Sequence, residues 1–235
     1  MVIFFGVVSI RELLLKLVET QVAIASFLNP LSSLPGNKLI DDKLEETLEF
    51  RQYSLIYFDL DHFKSYNDTY GFNKGDKILR YLTEILKKNI AGTHDFLGHI
   101  GGDDFVAIVP HYEVRVICQR IIDEFDSQIL GFYELEDIVH LQVPNRIGKL
   151  QPFTCTSLSI AVVTNEHRQF DSVEQLSDAI TRIKKRMQEN LRKLLSYQWQ
   201  RNLPRSLKEA GFFSLLGYSL ISTPASISCY CYTIN

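Results

Sequence analysis

Two clusters of acidic residues in this sequence carry side chains that could bind metal ions. Asp59 and Asp61 end an apolar run, and Asp103 and Asp104 directly follow the glycine pair Gly101–Gly102. Carboxylate oxygens suit Mg²⁺, which proteins usually hold with one or two carboxylates together with substrate phosphates. The glycines let the backbone turn tightly and approach a ligand without obstruction by a Cβ atom. The alternative that Asp103 and Asp104 lie in an exposed turn without function stays open, because Asp and Gly are also common in such turns.

Short apolar segments next to the acidic residues predict the strands that position them. Tyr53–Phe58 is nearly continuous in apolar residues, as expected for a strand covered on both faces. Phe96–Ile100 and Phe105–Val109 flank the glycines and predict a hairpin, and Thr156–Thr164 predicts a further strand. If the first strand lies beside the hairpin, the two acidic clusters meet.

Apolar residues at three-four spacing predict helices that alternate with these strands. The three stripes are Ile78, Leu79, Leu82, Ile85 and Leu86; Val114, Ile117, Ile121 and Phe125; and Val173, Leu176, Ile180, Ile183, Met187, Leu191 and Leu194. The stretch Gly131–Pro152 resembles a long loop, and the pattern fades from Ser196 onward. Strands alternating with helices, plus one tight hairpin, predict an α/β or α+β sandwich with a mixed sheet.

The N-terminal segment predicts a helix with heptad-like spacing. Its apolar positions are Ile10, Leu13, Leu17, Ile24 and Phe27, with Thr20 as a polar interruption. Two interpretations remain open: an amphipathic helix packed on its own domain, or a dimerising or signalling helix. Pro30 and Pro35–Asn37 predict a boundary after this helix.

The composition is that of an ordinary globular protein, with 46% hydrophobic and 23% charged residues among 235. A formal net charge of −3 offers no electrostatic argument for nucleic-acid binding. No run approaches the ~18 apolar residues of a membrane span, and the start Met1–Val8 lacks the features of a signal peptide. The cysteines Cys118, Cys155, Cys229 and Cys231 form no C-x-x-C pair, so a reducing cytoplasm is expected.

Five ordered motifs resemble the GGDEF family of diguanylate cyclases. Gly101–Phe105 matches the family signature with Asp in place of the usual Glu, and Asp59–Asp68 matches its D-x-D-x-F-K-x-x-N-D motif. Gly71–Asp76 resembles G-H-x-x-G-D, Leu34–Asn37 resembles L-P-N-R, and Ser157–Ala161 resembles a strand near the family's end. The resemblance implies an α/β (α+β) fold like that of nucleotidyl cyclases and polymerase palms. It also implies a mixed, mainly antiparallel central sheet flanked by helices.

The resemblance implies a site for two Mg²⁺ ions, for which Mn²⁺ can substitute. Asp59 and Asp103 would hold the metals, assisted by the carbonyl of Leu60. Asp104 occupies the position of the family's essential glutamate, which is a metal ligand or a base for the attacking 3′-hydroxyl. Phosphoryl-type transfer depends mainly on the positioning of the reactants and on charge neutralisation, so no histidine base is required.

The resemblance also assigns the residues that would bind GTP. Asn67 and Asp76 would bond the guanine edge, and Leu34 would line the base pocket. Lys64 and the backbone amides of the turn His62–Phe63 would bind the phosphates.

A lysine late in the last helix is the family's other phosphate contact. Lys184 and Lys185 both qualify, and Lys184 is preferred because it borders the stripe through Ile180 and Met187. The alternative is that both lysines are solvated helix charges. Where the family usually has an arginine four residues further on, this chain has Gln188.

Three other departures from the family pattern bear on function. The register of the family's inhibitory R-x-x-D site falls on Gly92–Asp95, which has the aspartate without the arginine. Asp104 is one methylene shorter than glutamate, and His99 stands where an arginine commonly precedes the signature. A ligand moved by about 1 Å can cost ~100-fold in rate.

The resemblance predicts a cytoplasmic diguanylate cyclase that acts on GTP as a homodimer. The alternatives are a GTP-binding regulatory module without turnover, and an interaction domain that no longer binds nucleotide. The motif variants are most similar to GGDEF domains that follow EAL and CBS domains, and Gly6–Leu14 resembles the end of a CBS domain. The expected organisation is a linker over residues 1–28, a GGDEF domain over 29–195 and a tail of unknown role over 196–235.

Overall fold

The computed structural model describes residues 9–140, 142–144, 147–152, 154–185 and 232–234. Helices α1 to α6 occupy Ile10–Phe27, Asn37–Leu48, Phe63–Tyr70, Phe72–Asn89, Arg115–Gln128 and Leu135–His140, and α7 covers residues 173–185. Strands β1 to β7 occupy Ser54–Asp61, Phe96–Gly101, Asp104–Val109, Gln142–Pro144, Leu150–Pro152, Ser157–Thr164 and Tyr232–Ile234. The predicted strand end within residues 1–8, the last-helix positions Met187, Gln188, Leu191 and Leu194, and most of the tail lie outside the described residues.

The main sheet has the strand order β2-β3-β1-β6-β7. β1 pairs antiparallel with both β3 and β6, with Phe58 opposite Phe105 on one side and Ile160 on the other. β7 joins the β6 edge in parallel, whereas β4 and β5 form a separate two-stranded hairpin. The predicted fold class is confirmed: a mixed, mainly antiparallel sheet flanked by helices.

Helices cover the sheet on both faces because alternate residues of a strand point to opposite sides. Ile56, Phe58 and Leu60 belong to a core cluster shared with α4 and α5. Leu55 and the partly buried Tyr57 belong to a second cluster shared with α2 and α7. This double coverage explains why Leu55–Phe58 of β1 are apolar without interruption.

Helices α4 and α7 bury the stripes predicted from their sequences. All five predicted positions of α4 are buried, from Ile78 to Leu86. In the described part of α7, Leu176, Ile180 and Ile183 are buried against the second cluster. The three-four spacing therefore predicted these two helix–sheet interfaces correctly.

The predicted loop over Gly131–Pro152 is wrong for much of its length. The segment contains α6 and the β4–β5 hairpin, and Ile138 of α6 is buried in the first core cluster. Tyrosines of α3 hold the segment in place: Tyr66 donates to the carbonyl of Phe132 at 2.7 Å, and Tyr70 donates to Asp137 at 2.6 Å. These contacts come from a distant part of the chain, so local periodicity does not reveal them.

Helix α1 leaves its described apolar side chains in solvent. Ile10, Leu13 and Leu17 are 77%, 55% and 51% exposed, and Phe27 is 41% exposed. Thr20 and Ile24 have side chains outside the described set. The interpretation as a helix packed on its own domain is wrong for the described positions, and the dimerising helix stays a prediction.

Of the four cysteines, Cys118 and Cys155 are described and are free thiols. Cys118 is fully buried in the first core cluster, as expected of a small hydrophobic side chain. Within the described ranges, no helix is both long and apolar enough to cross a lipid bilayer.

Candidate active site

The two acidic clusters lie at the same end of the sheet. The β1–β3 register ends with Phe58 opposite Phe105, so Asp59 and Asp104 are the next residues outward on neighbouring strands. The turn between β2 and β3 contains Gly101 at φ 151° and Gly102 at φ 57°, values that residues with a Cβ rarely adopt. Backbone conformation therefore requires the glycines, and it brings Asp103 and Asp104 to the end of β1.

Lys184 of α7 reaches between these two carboxylates. Its Nζ atom lies 3.3 Å from Asp59 Oδ1 and 3.1 Å from Asp104 Oδ1. It also donates to the hydroxyl of Tyr57 at 2.9 Å and lies 4.3 Å from the centre of that ring. Lys185, one residue further, is exposed. The geometry thus favours Lys184 over Lys185 as the lysine of the site.

The carboxylates of Asp59, Asp103 and Asp104 lie in the same environment, but their pKa values are shifted in different directions. Burial raises the pKa of Asp59 to about 7, helped by a hydrogen bond with Asp104 and opposed by the Lys184 charge. Burial also pushes the pKa of Asp104 upward, but hydrogen bonds with Asp59, Tyr57 and Lys184 outweigh it and the pKa falls below its ordinary value. Burial raises the pKa of Asp103 as well. These contacts therefore favour the ionised form of Asp104 and the protonated form of Asp59.

The donor chemistry at this end of the sheet fits Mg²⁺, although the fold does not form a closed metal cage. Within the described part of the chain, no group of three His, Cys, Asp or Glu side chains is arranged to hold a metal ion. Mg²⁺ usually binds one or two carboxylates, waters and substrate phosphates, so two convergent carboxylates suffice. The Leu60 side chain is buried in the core, which leaves only its carbonyl as a possible donor.

A helix begins immediately after β1 and presents backbone amides near the carboxylates. His62 has a left-handed φ of 62° and precedes α3, whose first residue Phe63 is buried. The first amides of a helix have no partner within that helix and are suited to anions. Lys64 follows and is exposed. Phosphate binding by this turn stays a prediction.

Asn67 and the start of α4 form a second polar feature of the site. The side-chain oxygen of Asn67 is buried and has no hydrogen-bond partner among the described residues. A Cβ atom on Gly75 would lie 1.9 Å from that oxygen, so the glycine makes room for the observed position of the Asn67 side chain. Asp76 is the next residue. A buried acceptor without a partner suits a ligand that donates hydrogen bonds.

Leu34 lies in the loop Asn29–Gly36 between α1 and α2. It is only 6% exposed and belongs to the first core cluster with Ile78 and Leu79. Its predicted contact with a base stays a prediction.

Sequence reasoning missed Tyr57 and the partners of Asp61, which the fold brings to the site. Tyr57 bonds Lys184 and lies two residues before Asp59, on the same face of β1, which is a spacing that could have indicated it. Asp61 accepts hydrogen bonds from Ser157 at 2.9 Å and Ser159 at 2.6 Å on β6, so it anchors the end of β1. No local signal predicts those serine partners.

Comparison with protein families and curated proteins agrees with the motifs. The family described as "Diguanylate cyclase, GGDEF domain" matches residues 26–191. Bifunctional diguanylate cyclase/cyclic di-GMP phosphodiesterase MucR of Pseudomonas aeruginosa is 34% identical over 84 residues, covering 34% of this chain and 12% of that protein. Diguanylate cyclase DgcS of Shewanella oneidensis is 44% identical over 71 residues, covering 29% and 24%. The chain thus matches less than a third of either relative's length.

Solved structures share the fold at low identity. Diguanylate cyclase SiaD of Pseudomonas aeruginosa, in complex with its activator SiaC, has a TM-score of 0.50 and 21% identity, covering 73% of this chain and 61% of that one. The S helix-GGDEF-EAL portion of Vibrio cholerae LapD, bound to c-di-GMP, has a TM-score of 0.53 and 20% identity, covering 72% and 35%. These likenesses concern the fold alone.

Proposed function

Since the chain belongs to the GGDEF diguanylate cyclase family, we propose that it joins two GTP molecules into cyclic di-GMP. The observation that carries the proposal is the meeting of Asp59 and Asp104 at one end of the sheet, with the Lys184 ammonium between them. Transfer of a phosphoryl-type group requires positive charge and fixed geometry more than covalent chemistry. This end of the domain has a positively charged group, the Lys184 ammonium, and carboxylates that paired strands hold in place. We assign the activity to a domain spanning residues 29–195.

The reaction requires two copies of the domain. Each copy binds one GTP, and the 3′-hydroxyl of each nucleotide attacks the α-phosphorus of the other. In each of the two steps an oxygen–phosphorus bond forms, the bond to pyrophosphate breaks and the hydroxyl releases its proton. Because one site holds only half of the product, the domains must face each other as a homodimer.

The carboxylates would bind the cation and receive the proton. Asp59, Asp103 and the carbonyl of Leu60 would hold Mg²⁺, or Mn²⁺ in its place. The bound metal would neutralise phosphate charge and lower the pKa of the attacking hydroxyl. Hydrogen bonds that lower the pKa of Asp104 favour its ionised form, whose Oδ1 atom can accept the hydroxyl proton or join the metal ligands. Lys184 would exchange a carboxylate partner for a phosphate oxygen.

Guanine would bind between α3 and α4. The unpartnered oxygen of Asn67 and the carboxylate of Asp76 are acceptors, and guanine offers a ring N–H and an exocyclic amine as donors. Adenine has an acceptor in place of the ring N–H, so it would leave one protein acceptor unpaired. An unpaired buried acceptor costs about 1–3 kcal/mol.

Incubation of the full chain with GTP and Mg²⁺ tests the proposal, with the product separated by chromatography and identified by its mass. We expect cyclic di-GMP and pyrophosphate from the wild-type chain, and no product from Asp104→Asn. Asp123→Asn on α5 is the matched control, since Asp123 is exposed and lies on a helix to which no site residue is assigned. Absence of cyclic di-GMP from the wild-type chain at every GTP concentration would overturn the proposal.

The second candidate is a regulatory module that binds GTP without turning it over and controls an attached domain. The shorter carboxylate at Asp104, already paired with Lys184, favours this candidate. Calorimetric titration with GTP distinguishes the two: binding without product supports the regulatory module, and binding with product supports the cyclase.

A further inference from the structure

His99 of β2 is a buried side chain that the proposed chemistry does not use. It is 1% exposed, and its ring stacks on that of Phe105 with centres 3.9 Å apart and planes inclined by 16°. Its Nδ1 atom lies 2.9 Å from Ser32 Oγ, and its Nε2 atom lies 3.0 Å from the carbonyl oxygen of Gly102. Both ring nitrogens therefore have partners. One partner is in the loop Asn29–Gly36, and the other is in the turn Gly101–Asp104 between β2 and β3, which we call the signature turn.

The partners determine which nitrogen carries the proton. A carbonyl oxygen only accepts hydrogen bonds, so Nε2 of His99 donates to Gly102. In the neutral ring Nδ1 is then an acceptor, and the Ser32 hydroxyl donates to it. The Ser32 oxygen in turn accepts from the amide of Leu34 at 3.3 Å. Burial lowers the pKa of His99, which agrees with a neutral ring.

Ser32 is held firmly by its own loop, so it can serve as an anchor. Asn29 Oδ1 accepts from the amide of Ser32 at 3.2 Å, and the backbone amide of His99 donates to the carbonyl of Pro35 at 2.8 Å. The loop is also joined to the end of α1, because the amide of Gly36 donates to the carbonyl of Phe27 at 2.8 Å. Hydrogen bonds thus link the end of α1, the loop and β2.

The signature turn, in contrast, has little side-chain packing of its own. Neither Gly101 nor Gly102 has a neighbouring atom within 4 Å of the position where a Cβ would stand. Glycines have wide conformational freedom, so such a turn needs contacts from outside to keep one geometry. Gly102 directly precedes Asp103, and its carbonyl is the atom that His99 holds.

We propose that His99 is a positioning residue that fastens the carbonyl of Gly102, and with it Asp103 and Asp104, to the loop Asn29–Gly36. The inference rests on the proposed function for its effect on turnover. Misplacement of a reacting group by about 1 Å can lower a rate ~100-fold. His99 is buried and therefore inaccessible to substrate, so its loss is expected to affect kcat more than the KM for GTP.

Two substitutions test separately the two hydrogen bonds of His99, one to Ser32 and one to Gly102, which together form a bridge between the loop and the turn. In His99→Gln, the amide nitrogen stands as many bonds from the backbone as Nε2 and can still donate to Gly102. In His99→Asn, the shorter amide matches Nδ1 and can bond only Ser32. We expect His99→Asn to lower kcat by about 100-fold with little change in KM, and His99→Gln to recover most of that loss. Equal losses in the two variants, or none in His99→Asn, would overturn the proposal.

Amide hydrogen exchange, measured by mass spectrometry, tests the same bridge without any turnover. We expect faster exchange of the amides of Gly101–Asp104 in His99→Asn than in the wild type or His99→Gln, with β6 unchanged as the check of folding. Ser32→Ala should also speed exchange in the turn, and wild-type exchange in that variant would refute the link to the loop. His94→Asn, at an exposed histidine, is the matched control. If the wild type makes no cyclic di-GMP, the proposed function fails while the exchange experiment still decides the role of His99.

Discussion

The Nζ atom of Lys184 lies 3.1 Å from a carboxylate oxygen of Asp104, although the two residues are on α7 and β3. The ammonium also contacts Asp59 at 3.3 Å, so it neutralises the carboxylates that the proposed metal would bind. Lys184 is itself stabilised in its charged form: burial lowers its pKa, but the hydrogen bond with Tyr57 and the Asp59 charge outweigh this and raise it. Lysine and metal therefore compete for the same oxygens.

This competition predicts the effect of Lys184→Met. Without the ammonium the metal ion no longer competes with a bound positive charge for these oxygens, so the nucleotide-free protein should bind Mn²⁺ about tenfold more tightly, a change of about 1.4 kcal/mol. GTP affinity should fall, because the proposed phosphate contact is lost. Mn²⁺ binding is measured by paramagnetic resonance and GTP binding by calorimetry. Lys185→Met is the control, and equal Mn²⁺ affinity in both variants would contradict the competition.

Lengthening the side chain at Asp104 should improve catalysis. Asp104→Glu restores the methylene found in the family signature and moves the carboxylate by about 1 Å, so turnover should rise by up to ~100-fold. The matched control is Asp103→Glu, the same change one residue earlier, which should lower turnover because the proposed ligand already has the family's length. Initial rates at saturating GTP measure both. A fall in the rate of Asp104→Glu would mean that this site has adapted to aspartate.

Gly75→Ala should weaken GTP binding without unfolding the domain. The new Cβ would stand 1.9 Å from the Asn67 side-chain oxygen, so Asn67 must move from its position against α4. We expect a loss of about 1–3 kcal/mol in GTP affinity and a smaller preference for GTP over ATP. Calorimetric titrations with the two nucleotides measure this.

Two further variants complete that experiment. Gly131→Ala is the control, because no atom lies within 4 Å of its Cβ position. Asp76→Ala should also reduce the preference for GTP. If Asp76→Ala binds GTP as tightly as the wild type, or if the wild type binds ATP equally well, the assignment of the guanine site is wrong.

Product inhibition through the segment Gly92–Asp95 should be absent. Gly92 has no side chain to bind a phosphate, and its amide donates to Asp95 Oδ2 at 2.8 Å, which engages that carboxylate within the turn. The groove beside it is lined by Lys43 and Arg51 but also by Glu46, Glu49 and Asp95, and Lys43 is paired with Glu46 at 2.9 Å. The lining therefore offers no net positive charge to an anionic dinucleotide. Added cyclic di-GMP should therefore leave the initial rate unchanged.

Substitutions identify the source of any inhibition that is observed. Inhibition abolished by Asp95→Ala or Arg51→Ala would show that this groove binds the product and would contradict the prediction. Inhibition that persists in both variants would place the inhibitory contact elsewhere, in agreement with the prediction for this segment.

Asp126 of α5 should make stability depend on pH. Burial raises its pKa from 3.8 to about 6, helped by the charge of Asp123. The folded state therefore binds this proton more tightly than the unfolded state, and stability falls as pH rises from about 4 to 6. Asp126→Asn should be more stable than wild type above pH 6 by about 1–2 kcal/mol, allowing for partial exposure, and equal to it below pH 4.

Urea unfolding at a series of pH values measures this difference. Asp178→Asn, at an exposed position of α7, is the control and should follow the wild-type pH dependence, because it retains Asp126. A constant difference between Asp126→Asn and wild type at all pH values would attribute the effect to packing and not to ionisation.

Local sequence patterns were sufficient to predict the helices and strands that bury residues at regular intervals along the chain. The nearly continuous apolar run in β1, the stripe from Ile78 to Leu86 and the glycine turn before Asp103 each indicated the correct element. These features depend on which residues a helix or strand buries at each step, and that periodicity is visible in the sequence itself. The neighbouring position of β1 and the hairpin followed from the resemblance, and the register between them agrees.

Only the tertiary structure decided which side chains from distant segments meet. The pairing of Lys184 with Asp104, the contact of His99 with Ser32, and the serines that hold Asp61 join elements far apart in sequence. Such contacts depend on how helices and strands pack in three dimensions, and nothing in the local pattern of either segment encodes the distance between them. The sequence by itself therefore determined the family, the sheet and the motif residues, and the packing of α7 and the loop Asn29–Gly36 against that sheet decided their partners.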